Sequence, residues 1–110
     1  MITWISGNTG AGKTTLAKKM RSDEIILDGD AMRAVWVGMG FSEADRREQN
    51  LRVARLAKEL EGQGFNVIVA TICPYRDLRD EVQKITNCRF IYLSGGKSGD
   101  QFPYEEPLDK

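Results

Sequence analysis

The sequence contains no histidine, and its two cysteines, Cys73 and Cys88, lie far apart without a CxxC spacing. Neither a zinc centre on the usual sulfur and imidazole donors nor a disulfide framework is expected, and buried or idle thiols are the better reading. Net charge is absent too. Sixteen Lys and Arg balance sixteen Asp and Glu, so no basic field awaits a polyanion and nucleic acid is not favoured as a partner. No apolar run approaches the ~20 residues of a membrane span. No basic, apolar and small-residue leader precedes the first apolar segment at Ile2. The expectations are no membrane association and a cytoplasmic location. Proline is scarce, and two of the three lie in the last stretch, at Pro103 and Pro107.

What is present is 41% hydrophobic and 29% charged residues, a composition that folds. A chain of 110 residues is long enough for one core and too short for two. One domain over 1–110 is expected, with an α/β body over 1–94 and an irregular tail over 95–110. Residues 2–6 read as a strand that runs into a glycine-rich turn, and Leu16, Ala17 and Met20 give helical spacing from Lys13 to Met20. A second strand is predicted over 24–28 and a short helix over 30–37, ended by Gly38 and Gly40.

Ser42 with Asp45 fits a capping box opening the longest helix, whose core stripe is Val53, Leu56, Ala57 and Leu60, with Gly62 and Gly64 ending it. Residues 66–72 hold a continuous apolar run, as in a central parallel strand covered on both faces. Pro74 stops that strand, Leu78, Val82 and Ile85 mark another helix, and residues 89–93 supply a fourth strand. After Ser94 the pattern gives way to loop composition, so the tail is expected to pack irregularly over the body. Strands alternating with helices imply a parallel sheet with ligands at the carboxyl ends of its strands.

Gly7-Asn8-Thr9-Gly10-Ala11-Gly12-Lys13-Thr14 matches G-x-x-x-x-G-K-[ST] between a strand and a helix, the context a phosphate-binding P-loop needs. The glycines let main-chain N–H groups converge on phosphate oxygens, and the helix amino terminus adds its positive dipole. Lys13 is expected to reach the β and γ phosphates of ATP, Thr14 to ligate magnesium, and Thr15 to assist through its hydroxyl. An ordinary glycine turn is the alternative.

Asp28-Gly29-Asp30 places two carboxylates at the carboxyl edge of the second strand, beside the loop. One can accept a hydroxyl proton from a phosphoryl acceptor and the other can orient magnesium. For either one singly the alternative is a turn held by Asx hydrogen bonds. No separate Walker B aspartate is visible, so magnesium is expected on Thr14, phosphate, water and this acidic pair, as suits a small-substrate kinase. Carrying the apolar face of the long helix toward its start turns Gln49, Asn50 and Arg46 inward. An anionic acceptor accounts for that, with Arg33 and Arg46 as its partners and Phe41 as a stacking surface for a base. Arg47 and Arg52 read as a solvated helix start.

The segments GNTGAGKTT, LDGDAMR, GFSEADRREQNLRVARLAKEL and ATICPYRDLRD follow one another as in the adenylylsulfate kinase family, which this chain resembles from residue 2 to about residue 80. The final Pro103-Tyr104-Glu105-Glu106-Pro107 is similar to that family as well. The resemblance implies a three-layer P-loop NTPase fold of the nucleoside-kinase kind, with a minimal four-stranded parallel sheet. It implies transfer of the ATP γ-phosphoryl to the 3′-hydroxyl of adenylylsulfate.

It also makes Lys13, Asp30 and Asp28 the catalytic set, with Asp30 as base and Asp28 organising magnesium beside Thr14. Arg33, Phe41, Arg46, Gln49, Ile72, Cys73 and Pro74 fall at substrate-side positions. The sequence departs from the family at Gln49, usually Asn, at Thr71, usually Phe, and at Cys73, usually Ser. The family's basic lid helix and following strand are absent between Gly96 and Pro103, which implies a slow, leaky or differently assisted enzyme. The partners implied are a small nucleotide substrate and, as a candidate assembly, a homodimer. Two further readings are a kinase for another small or 5′-hydroxyl nucleic-acid acceptor and a nucleotide-binding regulatory domain with little turnover.

Overall fold

The computed structural model describes residues 1–8, 10–20, 25–96 and 104–107. In chain order the elements are β1 (Ile2–Ser6), α1 (Lys13–Met20), β2 (Ile25–Asp28), α2 (Gly29–Val35), α3 (Glu43–Gly62), β3 (Val67–Thr71), α4 (Arg76–Thr86) and β4 (Arg89–Tyr92). The four strands form one parallel sheet in the order β2-β3-β1-β4. β1 and β3 are interior and buried along their whole length, which is why neither alternates apolar residues with exposed polar ones. The third strand is therefore central as predicted, and it shares that place with the first.

Strand alternation divides the core into two layers. Ile2, Trp4, Val67 and Val69 pack against Val53, Ala54 and Ala57 of α3 and Leu78 and Val82 of α4. Ile5, Ile68 and Ala70 face Ala17 of α1, with Leu16 and Met20 beside it. The result is helices, sheet and helix in three layers. Element bounds follow the sequence expectation within two residues, save that Glu24 lies outside the described residues.

The capping box opens α3, with Ser42 Oγ accepting from the Asp45 N–H at 3.1 Å. Its return arm differs from the usual pattern, because Asp45 Oδ2 accepts from Gly40 N–H at 3.0 Å and so pins the preceding turn. Arg47 is no free surface cation. It holds Asp77 through both terminal nitrogens and Glu43 through Nε, tying α3 to α4.

Through the core runs a buried polar chain. Trp4 Nε1 donates to Thr71 Oγ1 at 3.0 Å, Thr71 Oγ1 donates to Asn50 Oδ1 at 2.8 Å, and Asn50 Nδ2 donates to the Arg46 carbonyl at 2.9 Å. A side chain without a hydroxyl at position 71 strands an indole N–H and an amide oxygen together. Thr71→Val is expected to lower stability by about 2 to 6 kcal/mol, because it orphans two buried groups at roughly 1 to 3 each. Urea unfolding should show a lower midpoint at unchanged slope. An unchanged midpoint would mean that water serves both groups.

Of the tail, residues 104–107 are described and have no regular secondary structure. Glu105 N–H donates to the Pro74 carbonyl at 2.7 Å and Tyr92 Oη donates to Glu106 Oε1 at 3.2 Å, so this stretch packs on the body as expected. Among the described residues no helix is long and apolar enough to cross a membrane.

Candidate active site

The carboxyl end of β1 opens into the glycine loop, and the packing there demands glycine at its first position. A Cβ on Gly7 would stand 2.6 Å from the Leu93 carbonyl oxygen. Gly10 and Gly12 take φ values of 86° and 96°, a backbone region that side chains disfavour and that lets the loop curl under a ligand. The Asn8 carbonyl accepts from Ala11 N–H at 3.1 Å and from Lys13 Nζ at 3.0 Å, which folds the lysine over the loop. Burial lowers the Lys13 pKa, and the charges of Asp28 and Asp30 oppose that shift. Thr9 lies outside the described residues.

Beside the loop is a cleft of about 290 Å³. Gly10, Gly12, Lys13, Thr14 and Thr15 line it together with Asp28, Gly29, Asp30 and Arg33, and with Phe41, Arg46, Gln49 and Asn50. Ala70, Thr71, Ile72 and Pro74 complete the lining. Nearly every residue picked out in the sequence thus converges on one cavity, from the glycine loop, β2, β3, α1, α2, α3 and the turns beside them. Gly7, Asn8 and Ala11 shape the loop from behind.

Thr14 Oγ1 donates to Asp28 Oδ1 at 2.7 Å. A hydroxyl and a carboxylate that meet in the cleft lining, with no cage of three or more His, Cys, Asp or Glu side chains among the described residues, fit an ion held mostly by phosphate and water. Asp28 is also a turn former, since its Oδ2 caps α2 by accepting from Ala31 N–H at 3.2 Å. The two readings of this aspartate are compatible. Asp30 is different, because its side chain is 98% exposed, with Arg33 Nη1 at 3.8 Å.

Two buried polar atoms of the cleft residues have no partner among the described residues. Gln49, 3% exposed, spends its Nε2 on the Gly29 carbonyl at 3.0 Å and leaves Oε1 unpaired. Arg33 leaves Nε unpaired while its guanidinium carbon sits 4.3 Å from the centroid of the Phe41 ring. Burial lowers the Arg33 pKa, helped by the nearby Arg46 charge and opposed by Asp30.

One expectation is corrected. Cys73 was placed at the substrate side, yet it is 0% exposed, belongs to the apolar core and does not line the cleft. Its backbone takes φ 41°, which rotates the side chain inward between Ile72 and Pro74, and burial pushes its thiol pKa far up. The sequence reading missed Thr71 and Ala70 as lining residues, though both stand at the carboxyl end of a strand predicted to be central, where such sheets bind ligands.

A family model described as adenylylsulphate kinase matches residues 1–94. The chain belongs to the adenylylsulphate kinase family. An adenylyl-sulfate kinase of Burkholderia ambifaria is 39% identical over 90 residues, which are 74% of this chain and 50% of the relative. One of Rippkaea orientalis is 42% identical over 88 residues, 73% of this chain and 49% of the relative. The chain therefore spans about half the length of the curated relatives it matches.

Among solved structures, a mutant of the Mycobacterium tuberculosis APS kinase CysC superimposes with a TM-score of 0.75 at 28% identity. The match covers 98% of this chain and 80% of that one. Below 25% identity, a Janibacter sugar kinase at TM-score 0.70 shares the fold. The P-loop α/β architecture expected from the sequence is the observed one. In this adenylylsulphate kinase family member the family match ends at residue 94, just beyond β4, whereas the superposition on CysC takes in 98% of the chain.

Proposed function

We propose that the chain is an ATP-dependent kinase that transfers the γ-phosphoryl group to the 3′-hydroxyl of adenylylsulfate, giving 3′-phosphoadenylylsulfate. The observation that carries this reading is the pair of orphaned buried polar atoms, Gln49 Oε1 and Arg33 Nε, on residues that line the phosphate-loop cleft. Buried groups without partners are rare in folded proteins, and a polar ligand satisfies them. The family relationship supports adenylylsulfate as that ligand.

The loop N–H groups and Lys13 would bind the β and γ phosphates, holding the terminal phosphorus for in-line attack. Thr14 and Asp28 would hold a magnesium ion, which supplies charge neutralisation across the phosphates when bound. Arg33 and Arg46 would take the anionic end of the acceptor, and Phe41 its base. Asp30, exposed at the mouth of the cleft, would take the proton from the attacking hydroxyl. A cytoplasmic location and assembly into a homodimer fit such an enzyme.

The test is transfer of labelled γ-phosphate from ATP and magnesium to adenylylsulfate, beside a panel of nucleosides, sugars and short oligonucleotides. Labelling of adenylylsulfate alone is expected. Labelling of another acceptor would keep the kinase and discard this substrate. ATP binding without any transfer would make the chain a nucleotide-binding regulator.

A further inference from the structure

Arg79 is a buried cation that the phosphate chemistry does not use. It lies on α4 at 9% exposure, and no carboxylate pairs with it among the described residues. Its charge is spent on neutral groups instead. Nη1 donates to the Cys73 carbonyl at 2.8 Å, Nη2 donates to the Glu105 carbonyl, and the guanidinium carbon stands 5.0 Å from the centroid of the Tyr104 ring.

The turn that receives the first of these bonds is held unusually completely. Its three successive carbonyls each accept from a different element. The Ile72 carbonyl accepts from Ser6 Oγ of β1 at 3.0 Å, that of Cys73 from Arg79 of α4, and that of Pro74 from Glu105 N–H of the tail. Ser6 Oγ is itself bonded to Tyr104 Oη. These contacts hold Cys73 in a left-handed conformation that a residue with a Cβ avoids by roughly 1 to 2 kcal/mol. Ile72 and Pro74, on either side, are cleft lining.

We infer that Arg79 is a positioning residue for the acceptor wall: by carrying the Cys73 and Glu105 carbonyls on one rigid fork, it sets where Ile72 and Pro74 stand in the cleft. Only a forked, planar cation serves two carbonyls of separate segments in this way. The inference rests on the reading that this wall contacts the phosphoryl acceptor. It adds a residue that never touches substrate, reached through a tail segment far along the chain.

The experiment compares Arg79→Met, Arg79→Lys and Tyr104→Phe with wild type. For Arg79→Met, which removes both charged hydrogen bonds, the acceptor KM is expected to rise about tenfold as the wall loses its position, with kcat and ATP affinity within about threefold. Arg79→Lys, which keeps the charge but not the fork that reaches both carbonyls, should recover only a small part of the loss. Tyr104→Phe removes the support of Ser6 while keeping the ring beneath Arg79, and should raise the same KM by a smaller factor if Arg79→Met does not fold.

Loss of thermal stability with unchanged acceptor KM in all three would overturn the inference, as would a parallel fall in ATP affinity. If wild type leaves adenylylsulfate unlabelled, the proposed function fails on its own, and backbone amide exchange decides the positioning role. Faster exchange at Ile72, Cys73 and Tyr75 in Arg79→Lys, with the phosphate loop unaltered, would uphold it. Unchanged exchange at those amides would overturn it.

Discussion

Replacing Asp30 with asparagine is expected to lower phosphoryl transfer by about 100- to 10,000-fold, the usual contribution of a positioned general base. Several observations make this a clean test. The side chain is 98% exposed and its neighbour Arg33 is 3.8 Å away, so the substitution disturbs no core packing and only a weak, solvent-screened ion pair. Asp30 also stands apart from the Thr14–Asp28 contact in the cleft lining, which leaves nucleotide binding intact. Both kcat and kcat/KM should fall together, the signature of an interaction made in the transition state. Isothermal titration with a nonhydrolysable ATP analogue should give wild-type affinity. A variant with an unchanged rate would remove Asp30 as the base.

Lys13→Ala should have the larger effect, abolishing measurable transfer and weakening ATP binding at once. The ammonium is half-buried, its pKa lowered by desolvation and sustained by the charges of Asp28 and Asp30. Without it the negative charges of Asp28 and Asp30 lose the ammonium that offsets them beside the phosphate loop. Loss of a cationic clamp on a transferring phosphoryl group costs about 1000-fold or more. Equilibrium nucleotide binding and labelled-phosphate transfer should therefore both fail, whereas Asp30→Asn spares the first. Retention of full turnover in Lys13→Ala would refute the phosphate-loop assignment. The contrast between the two variants separates binding from chemistry, which neither achieves alone.

What the sequence made legible was local chemistry with a period. The loop from Gly7 to Thr14 is a contiguous motif, and the stripe of Val53, Leu56, Ala57 and Leu60 extends by simple geometry to Gln49 and Asn50, both buried in the structure. Cys73 was placed at the substrate side by the resemblance, which carries no warning of a left-handed residue that is not glycine, whereas its reading as a buried thiol agrees with the structure. That conformation is imposed from afar by Ser6, Arg79 and Glu105.

Thr71 departs from the family's usual residue for a reason visible only in three dimensions. It is the hinge between the Trp4 indole and the Asn50 amide. An acceptor was invoked for the inward turn of Asn50, and the protein itself supplies its partners. Arg79 escaped notice because a charged residue on a short amphipathic helix reads as surface, and its neutral acceptors come from two segments that only the fold assembles.

The order of the sheet sets a schedule for synthesis. Ile2 pairs with Val67 and Thr3 with Arg89, so β1, made first, has both neighbours still to come. At about 5 to 20 residues per second, a ribosome leaves β1 waiting some 3 to 13 s for β3 and longer for β4. During that interval Ile2, Trp4 and Ile5 have no sheet to enter, and the glycine loop that follows them has no Leu93 to close against. A nascent chain stalled in α3 would therefore hold the full phosphate-loop motif without the strands that support it, and is expected to bind no nucleotide.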